Sequence, residues 1–186
     1  MRMFLAIELP EDVREHLVRV QEAVAPALDG IAMTRPENLH VTVKFLGEVD
    51  EAKSGELCDS IAKVTSAAID LEAVGVECFP PRGTIRIVAA QMAGDVQALA
   101  GVHAAIEQRC KFLGFEKENR KYRPHVTLGR ARKPLAPNTR KTVEEASAKL
   151  WPGPRFHLKD VVLMQSKLKP AGAEYLVVAR FPLGGA

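Results

Sequence analysis

Nowhere in its 186 residues does the chain carry an uncharged apolar run of 18 or more. A bilayer core needs about 20 such residues in a helix, so a membrane-spanning helix is excluded. There are only three cysteines, Cys58, Cys78 and Cys110, without C-x-x-C spacing. That count argues against a disulfide framework and a cysteine zinc site, and the expectation is three buried apolar thiols. Low-complexity sequence is absent, and so is any linker long enough to separate independent domains. One two-lobed domain over 1–186 is therefore expected. The opening MRMFLAIELPEDVREHL reaches acidic Glu8 without a small-residue cleavage site, so no signal peptide is expected and the location is read as cytoplasmic.

The charge is modest overall, at +3, but unevenly placed. Between Lys111 and Lys133 lie eight Lys or Arg against Glu116 and Glu118, which leaves the rest of the chain net acidic. Such a window suits an anionic ligand, with phosphate the commonest reason for it. The alternative is a solvated polar loop.

The hydrophobic pattern alternates between periods of two and 3.6. MFLAIEL reads as a strand, and residues 11–28 as a helix with Val13, Leu17, Val20 and Val24 on one face. Two strand pieces follow around 31–35 and 39–46, then a helix over 51–67 with Leu57, Ile61 and Val64 inward. IDLEAVGVECF and TIRIVAAQ read as strands around an FPPRG turn. DVQALAGVHAAIEQRCKFLG is a helix ending near Gly114, PHVTLGR a strand and NTRKTVEEASAKL a helix. FHLKDVVLMQSKL and EYLVVARFPL close the chain as strands joined by a KPAGA turn. This mixed order predicts an α+β fold with antiparallel or mixed sheets, in two lobes of similar make.

Each lobe owns one copy of a short pattern. HVTV at 40–43 and HVTL at 125–128 stand 85 residues apart. With five His and seven Thr in the chain, chance supplies only about 0.2 H-x-T occurrences. On a strand, His40 and Thr42 share one face while Val41 and Val43 take the other, and His125 and Thr127 are set against Val126 and Leu128 in the same way. Two imidazoles titrating near neutrality can divide labour as general acid and general base. In-line displacement at phosphorus needs that division, with hydroxyls and arginines holding the non-bridging oxygens. Nothing in the scheme needs a metal or a cofactor, and the chain lacks the acidic cluster of a two-metal nuclease. His16 and His103 lie in helix segments among small or charged neighbours and are not expected to act. His157 is read as solvent-facing on its strand, and Tyr122 and Arg123 as possible groove residues.

TRPENLHVTVKFLGEV and YRPHVTLGRARK resemble the paired H-x-T-x motifs of the two-histidine phosphoesterases. The resemblance is specifically to the RNA 2′,3′-cyclic phosphodiesterases, historically called 2′-5′ RNA ligases. With the opening strand and helix and the FPP-R turn, it spans nearly the whole chain. It implies a bilobal, pseudo-twofold α+β fold, with two sheets lining a central groove and helices outside. It further implies His40 as proton donor to the leaving 3′ oxygen and His125 as the base that activates water. Thr42, Thr127 and Arg130 fall where that family binds phosphate, and Phe45 where an aromatic stacks on a nucleobase. The implied partner is RNA with a 2′,3′-cyclic phosphate or a 2′-5′ linkage, or a small cyclic nucleotide, met by a monomer. Reversible 2′-5′ joining, hydrolysis of another cyclic nucleotide and non-catalytic binding of RNA ends are the competing readings.

Overall fold

The opening apolar segment forms strand β1 (Arg2–Glu8), with Met3, Leu5 and Ile7 on one face and Phe4 and Ala6 on the other, in a computed structural model that describes residues 1–170 and 172–184. Helix α1 (Glu11–Val24) buries Val13, Leu17, Val20 and Val24 as the spacing requires. It stops four residues before the expected end and tightens into a single 3-10 turn over 25–27. Pro26 is the reason, since it has no N–H to give and its ring collides with the preceding turn. Helix α2 (Glu51–Ile61) starts on Asp50, whose carboxylate accepts the Lys53 N–H at 2.7 Å. It too ends early, where Val64, Thr65 and Ser66 follow; β-branched residues and serine favour extended backbone there.

The other elements are β2 (Ile31–Met33), β3 (His40–Glu48), β4 (Asp70–Phe79), β5 (Ile85–Gly94), α3 (Val96–Phe112), β6 (His125–Leu135), α4 (Thr139–Ser147), β7 (Phe156–His157), β8 (Asp160–Lys169) and β9 (Gly172–Pro182). The expected strand over 156–168 is two strands, and β6 runs five residues past the expected end. The β8–β9 turn foreseen at KPAGA contains Ala171, which lies outside the described residues.

The strands form one antiparallel sheet in the order β7-β4-β5-β6-β3-β1-β8-β9, with β2 added on β6. The two sheets implied by the resemblance are thus two halves of a single one, joined where Val41 of β3 pairs with Val126 of β6. Each half begins at its H-x-T-x strand and runs outward, which gives the fold its pseudo-twofold axis between β3 and β6. The main core lies on the helix side of the sheet and runs through both halves. Phe4, Ala6, Val162 and Met164 make a small second cluster on the opposite face, with Tyr175 packed against it.

Of the three thiols, Cys78 and Cys110 are buried, whereas Cys58 is only half-buried, because the α2 face it occupies borders solvent. All three are free, and burial pushes their pKa values up, that of Cys110 to about 11. They are thiols near neutral pH rather than thiolate nucleophiles.

His16 is the buried histidine of α1, 6% exposed, with its ring edge-on to Trp151 at 5.6 Å. Its Nε2 is buried without a hydrogen-bond partner among the described residues, and a Cβ on Gly153 would come within 2.9 Å of that atom. Burial, then the charge of Arg19, lowers its pKa. The unfolded chain therefore binds more protons below about pH 6.5, and the stability His16 gives at neutral pH is lost as pH falls through that value. His40 and His103 are shifted the same way. His16→Met is expected to flatten the fall in urea-unfolding free energy between pH 7 and 5 without abolishing it. An unchanged slope would show that His16 is solvated when folded.

Candidate active site

Antiparallel register around the Val41–Val126 pair sets His40 toward Thr127 and Thr42 toward His125. The valines and Leu128 are buried, so the histidines and threonines share the opposite, groove face, as the alternation predicts. Each imidazole is oriented by the backbone two residues before it. His40 Nδ1 lies 2.7 Å from the Asn38 carbonyl oxygen, and His125 Nδ1 lies 2.8 Å from that of Arg123. A carbonyl can only accept, so both Nδ1 atoms carry hydrogen and both Nε2 atoms are left for chemistry. His40 Nε2 is 3.0 Å from Thr42 Oγ1. Asn38 is itself fixed by its amide, which donates to the Ala173 carbonyl at 2.8 Å.

Phe45 and Arg130 stand five residues after their histidines, so in a regular strand they would point to the core. Two β-bulges turn them round. Leu5 pairs with Lys44 and Ala6 with Thr42, which leaves Val43 as the extra residue of β3. Likewise Val88 pairs with Gly129 and Ala89 with Thr127, leaving Leu128 extra in β6. Each bulge sends two consecutive residues to the core, Val43 with Lys44 and Leu128 with Gly129. Phe45, 58% exposed, and Arg130 then face the groove. The Leu128 carbonyl freed by its bulge accepts from Thr34 N at 2.9 Å and from Gln21 Nε2 of α1 at 2.8 Å.

The residues after the bulges differ for a packing reason. Gly129 lies under β2, where a Cβ would press on Ile31 at 3.0 Å, the Ala32 carbonyl oxygen at 3.2 Å and Met33 sulfur at 3.2 Å, so a side chain would crowd β2. Among the described residues no strand covers the equivalent position in the first half, and Lys44 reaches inward there, 1% exposed, to an ion pair with Glu107 of α3. Its ammonium also donates to the Glu116 carbonyl at 2.9 Å.

The cleft encloses about 520 Å³ and is lined by His40, Thr42, Phe45, Thr127, Arg130 and Tyr175, among others. Phe4 supports the His40 ring from below at 5.0 Å, and Tyr175 meets it edge-on at 5.4 Å. Burial lowers the His40 pKa most; the Asn38 carbonyl works against that, and the charges of Arg130 and His125 add to it. Tyr122 does not line this cleft. Its hydroxyl donates to the Thr42 carbonyl at 3.2 Å, and its ring stacks on His103 at 4.2 Å. Burial holds its phenol far above the ordinary value. Arg123 also lies outside the lining, paired with Glu77. His157 is exposed as expected, with Nδ1 3.0 Å from Asp70. His103, Glu107 and Glu118 bring three potential ligand atoms within 4.8 Å of one another. The Lys44 ammonium already neutralises Glu107, so a divalent ion there would have to displace it.

A phosphoesterase family model, described as LigT like, matches this chain twice, over residues 7–89 and 93–175. Each match contains one H-x-T-x strand. The chain belongs to the LigT-like phosphoesterases. A relative from Methanocaldococcus jannaschii, an RNA 2′,3′-cyclic phosphodiesterase, is 35% identical over 96% of this chain and 98% of its own. Another of that name from Thermus thermophilus is 34% identical, with coverage of 100% and 91%. Among solved structures, one from Thermus thermophilus superposes with a TM-score of 0.77 at 28% identity, covering 100% and 99%. The apo LigT structure from Escherichia coli has a TM-score of 0.77 at 21% identity, covering 99% and 98%, and supports the fold of this LigT-like chain alone.

The chemistry-bearing groups that sequence reasoning missed are Phe4, Tyr175, Lys44 and Phe79. Only Phe4 had a local signal, since alternation along β1 already separates it from Met3 and Leu5. The others become visible only when distant segments meet.

Proposed function

We infer that this LigT-like phosphoesterase hydrolyses RNA 2′,3′-cyclic phosphodiester ends to 2′-phosphomonoesters without a metal ion. One observation carries the reading. His40 lines a cleft with two threonines and an arginine, the register sets His125 opposite Thr42 on the adjoining antiparallel strand, and each imidazole has Nδ1 held by a carbonyl so that Nε2 is left for proton transfer. The names of the relatives at 34–35% identity support the same substrate.

His125 Nε2 takes a proton from water, the water oxygen forms a bond to phosphorus, and the bond to the 3′ oxygen breaks. His40 Nε2–H supplies the proton that oxygen needs. Thr42, Thr127 and Arg130 hold the non-bridging oxygens and balance the charge that builds there. Burial, and then the charges of Arg130 and His125, lower the His40 pKa, the direction that suits a base. Its role as acid therefore depends on the bound phosphodiester, whose negative charge raises that pKa again. The pH profile of kcat/KM is expected to be bell-shaped with one limb below the ordinary imidazole value. In kcat, which reports the substrate complex, the alkaline limb should move upward.

The direct test is turnover of an oligoribonucleotide ending in a 2′,3′-cyclic phosphate, in EDTA, with the product's phosphate located by NMR. A 2′-phosphate formed at an undiminished rate is expected. A 3′-phosphate would reverse the roles of the histidines, and no turnover would remove the reading.

Phe45 is the cleft's exposed aromatic, and base stacking on such a ring contributes about 1–3 kcal/mol. Phe45→Ala is expected to raise KM roughly tenfold with little change in kcat. An unchanged KM would mean that the base lies elsewhere.

A further inference from the structure

Both histidines rest on a phenylalanine, in matched geometry. Phe4 meets the His40 ring at 5.0 Å and 36°, and Phe79 meets the His125 ring at 5.1 Å and 44°. The two phenylalanines are held very differently. Phe4 sits within β1 between β3 and β8, 3% exposed, so the sheet itself fixes it. Phe79 is the last residue of β4, half-buried, and enters the exposed 80–83 turn. A ring at the end of a hairpin needs another constraint to act as a brace.

Arg140 supplies that constraint. Its guanidinium donates to the Cys78 carbonyl at 3.2 Å, the Pro80 carbonyl at 2.7 Å and the Gly83 carbonyl at 2.8 Å. It thus grips the backbone on both sides of Phe79 and at the far side of the turn. Arg140 lies in the first turn of α4, where a cation opposes the helix dipole, so its position is not explained by helix stability. The same stretch of β4 also restrains the segment before His125. Glu77 pairs with the Arg123 guanidinium, which lies 5.7 Å over the Phe79 ring. Arg123 is the residue whose carbonyl orients His125 Nδ1.

We propose that Arg140 is a positioning residue for His125, acting through the 78–83 turn and the Phe79 ring. It touches neither substrate nor the reacting atoms. It confines the imidazole from which the second half of the site draws its proton transfer, while the first half needs no equivalent because Phe4 is built into the sheet. This rests on the proposed function only for its kinetic consequence.

The experiment compares Arg140→Ala, Arg140→Lys, Phe79→Leu and the double variant Arg140→Ala/Phe79→Leu on the cyclic phosphate oligonucleotide. Arg140→Ala is expected to lower kcat about tenfold or more with KM unchanged, since small misplacement of a catalytic group is costly. Lysine, unable to span three carbonyls, should restore only part. The double variant should lose no more than Phe79→Leu alone. Additive losses, or an effect confined to KM, would overturn the proposal. So would a loss of kcat that follows thermal unfolding. The titration of the His125 Cε1–H NMR signal is read without substrate and separates this proposal from the functional one. Arg140→Ala should shift or broaden it and leave His40 unchanged, and an unmoved His125 signal overturns the brace even if turnover falls.

Discussion

His40→Ala and His125→Ala are each expected to lower kcat for a 2′,3′-cyclic phosphate oligonucleotide by about 10²–10⁴-fold, the usual worth of a positioned acid or base. KM should change far less, because the substrate contacts proposed for Thr42, Thr127, Arg130 and Phe45 are left in place. The double variant is expected to lose little more than either single one, since two proton transfers in one displacement act as a unit. The fold should persist, as both rings lie on the groove face and the valines between them anchor the strands. Circular dichroism melts check that point. Near-normal turnover in both single variants would show that the paired histidines bind without catalysing. The bell-shaped pH profile discriminates further: removing either histidine should leave a profile with one limb. A binding module would show no such profile at all.

Glu107→Leu is expected to produce the largest loss of stability, because it leaves the Lys44 ammonium buried without its partner. Both side chains are almost wholly buried, Lys44 at 1% and Glu107 at 8% exposure. Breaking such a pair costs about 3–5 kcal/mol, whereas replacing both partners by apolar groups of similar volume is often neutral. In a chain of this length that is a fall in Tm of roughly 10 °C or more. Lys44→Met/Glu107→Leu should recover most of it. The loss should also reach the site. Lys44 holds the Glu116 carbonyl, and Glu107 accepts the Glu118 N–H at 3.3 Å, so the pair fastens the segment that leads to Tyr122 and His125. A double variant as unstable as Glu107→Leu would mean that the site needs its charges rather than their balance.

The two halves of the proposed site differ where their strands leave the shared pattern. Both carry histidine, valine, threonine and an apolar residue, and both bulge at the fourth. Beyond that point the first half places a lysine in the core and a phenylalanine in the groove, and the second a glycine and an arginine. One side can thus stack a flat ring, while the other offers charge to a phosphate.

The sequence alone determined the two H-x-T-x strands, their facing, and the order of helices and strands, because each depends on local periodicity and on turn residues a few positions away. His40, Thr42, His125 and Thr127 all face the groove as alternation requires. The helix ends were less legible. Pro26 cut α1 short, and the residues after Ile61 left α2 for backbone contacts that no helical pattern contains.

Only the tertiary structure decided the rest. A bulge is a mismatch between two paired strands, so nothing in VTVKF or VTLGR by itself announces that Phe45 and Arg130 will turn to the groove. Lys44 looks like a surface residue until α3 brings Glu107 to it from 63 positions away. Tyr122 looks like a groove residue until His103 stacks on it. Phe79, 46 residues before His125, meets its ring only in the folded sheet, and Arg140, 15 residues after it, reaches only the backbone beside Phe79. Periodicity reports which face of an element is buried; which distant element covers that face, and therefore how rigidly the His125 ring is held, is fixed only by the packing.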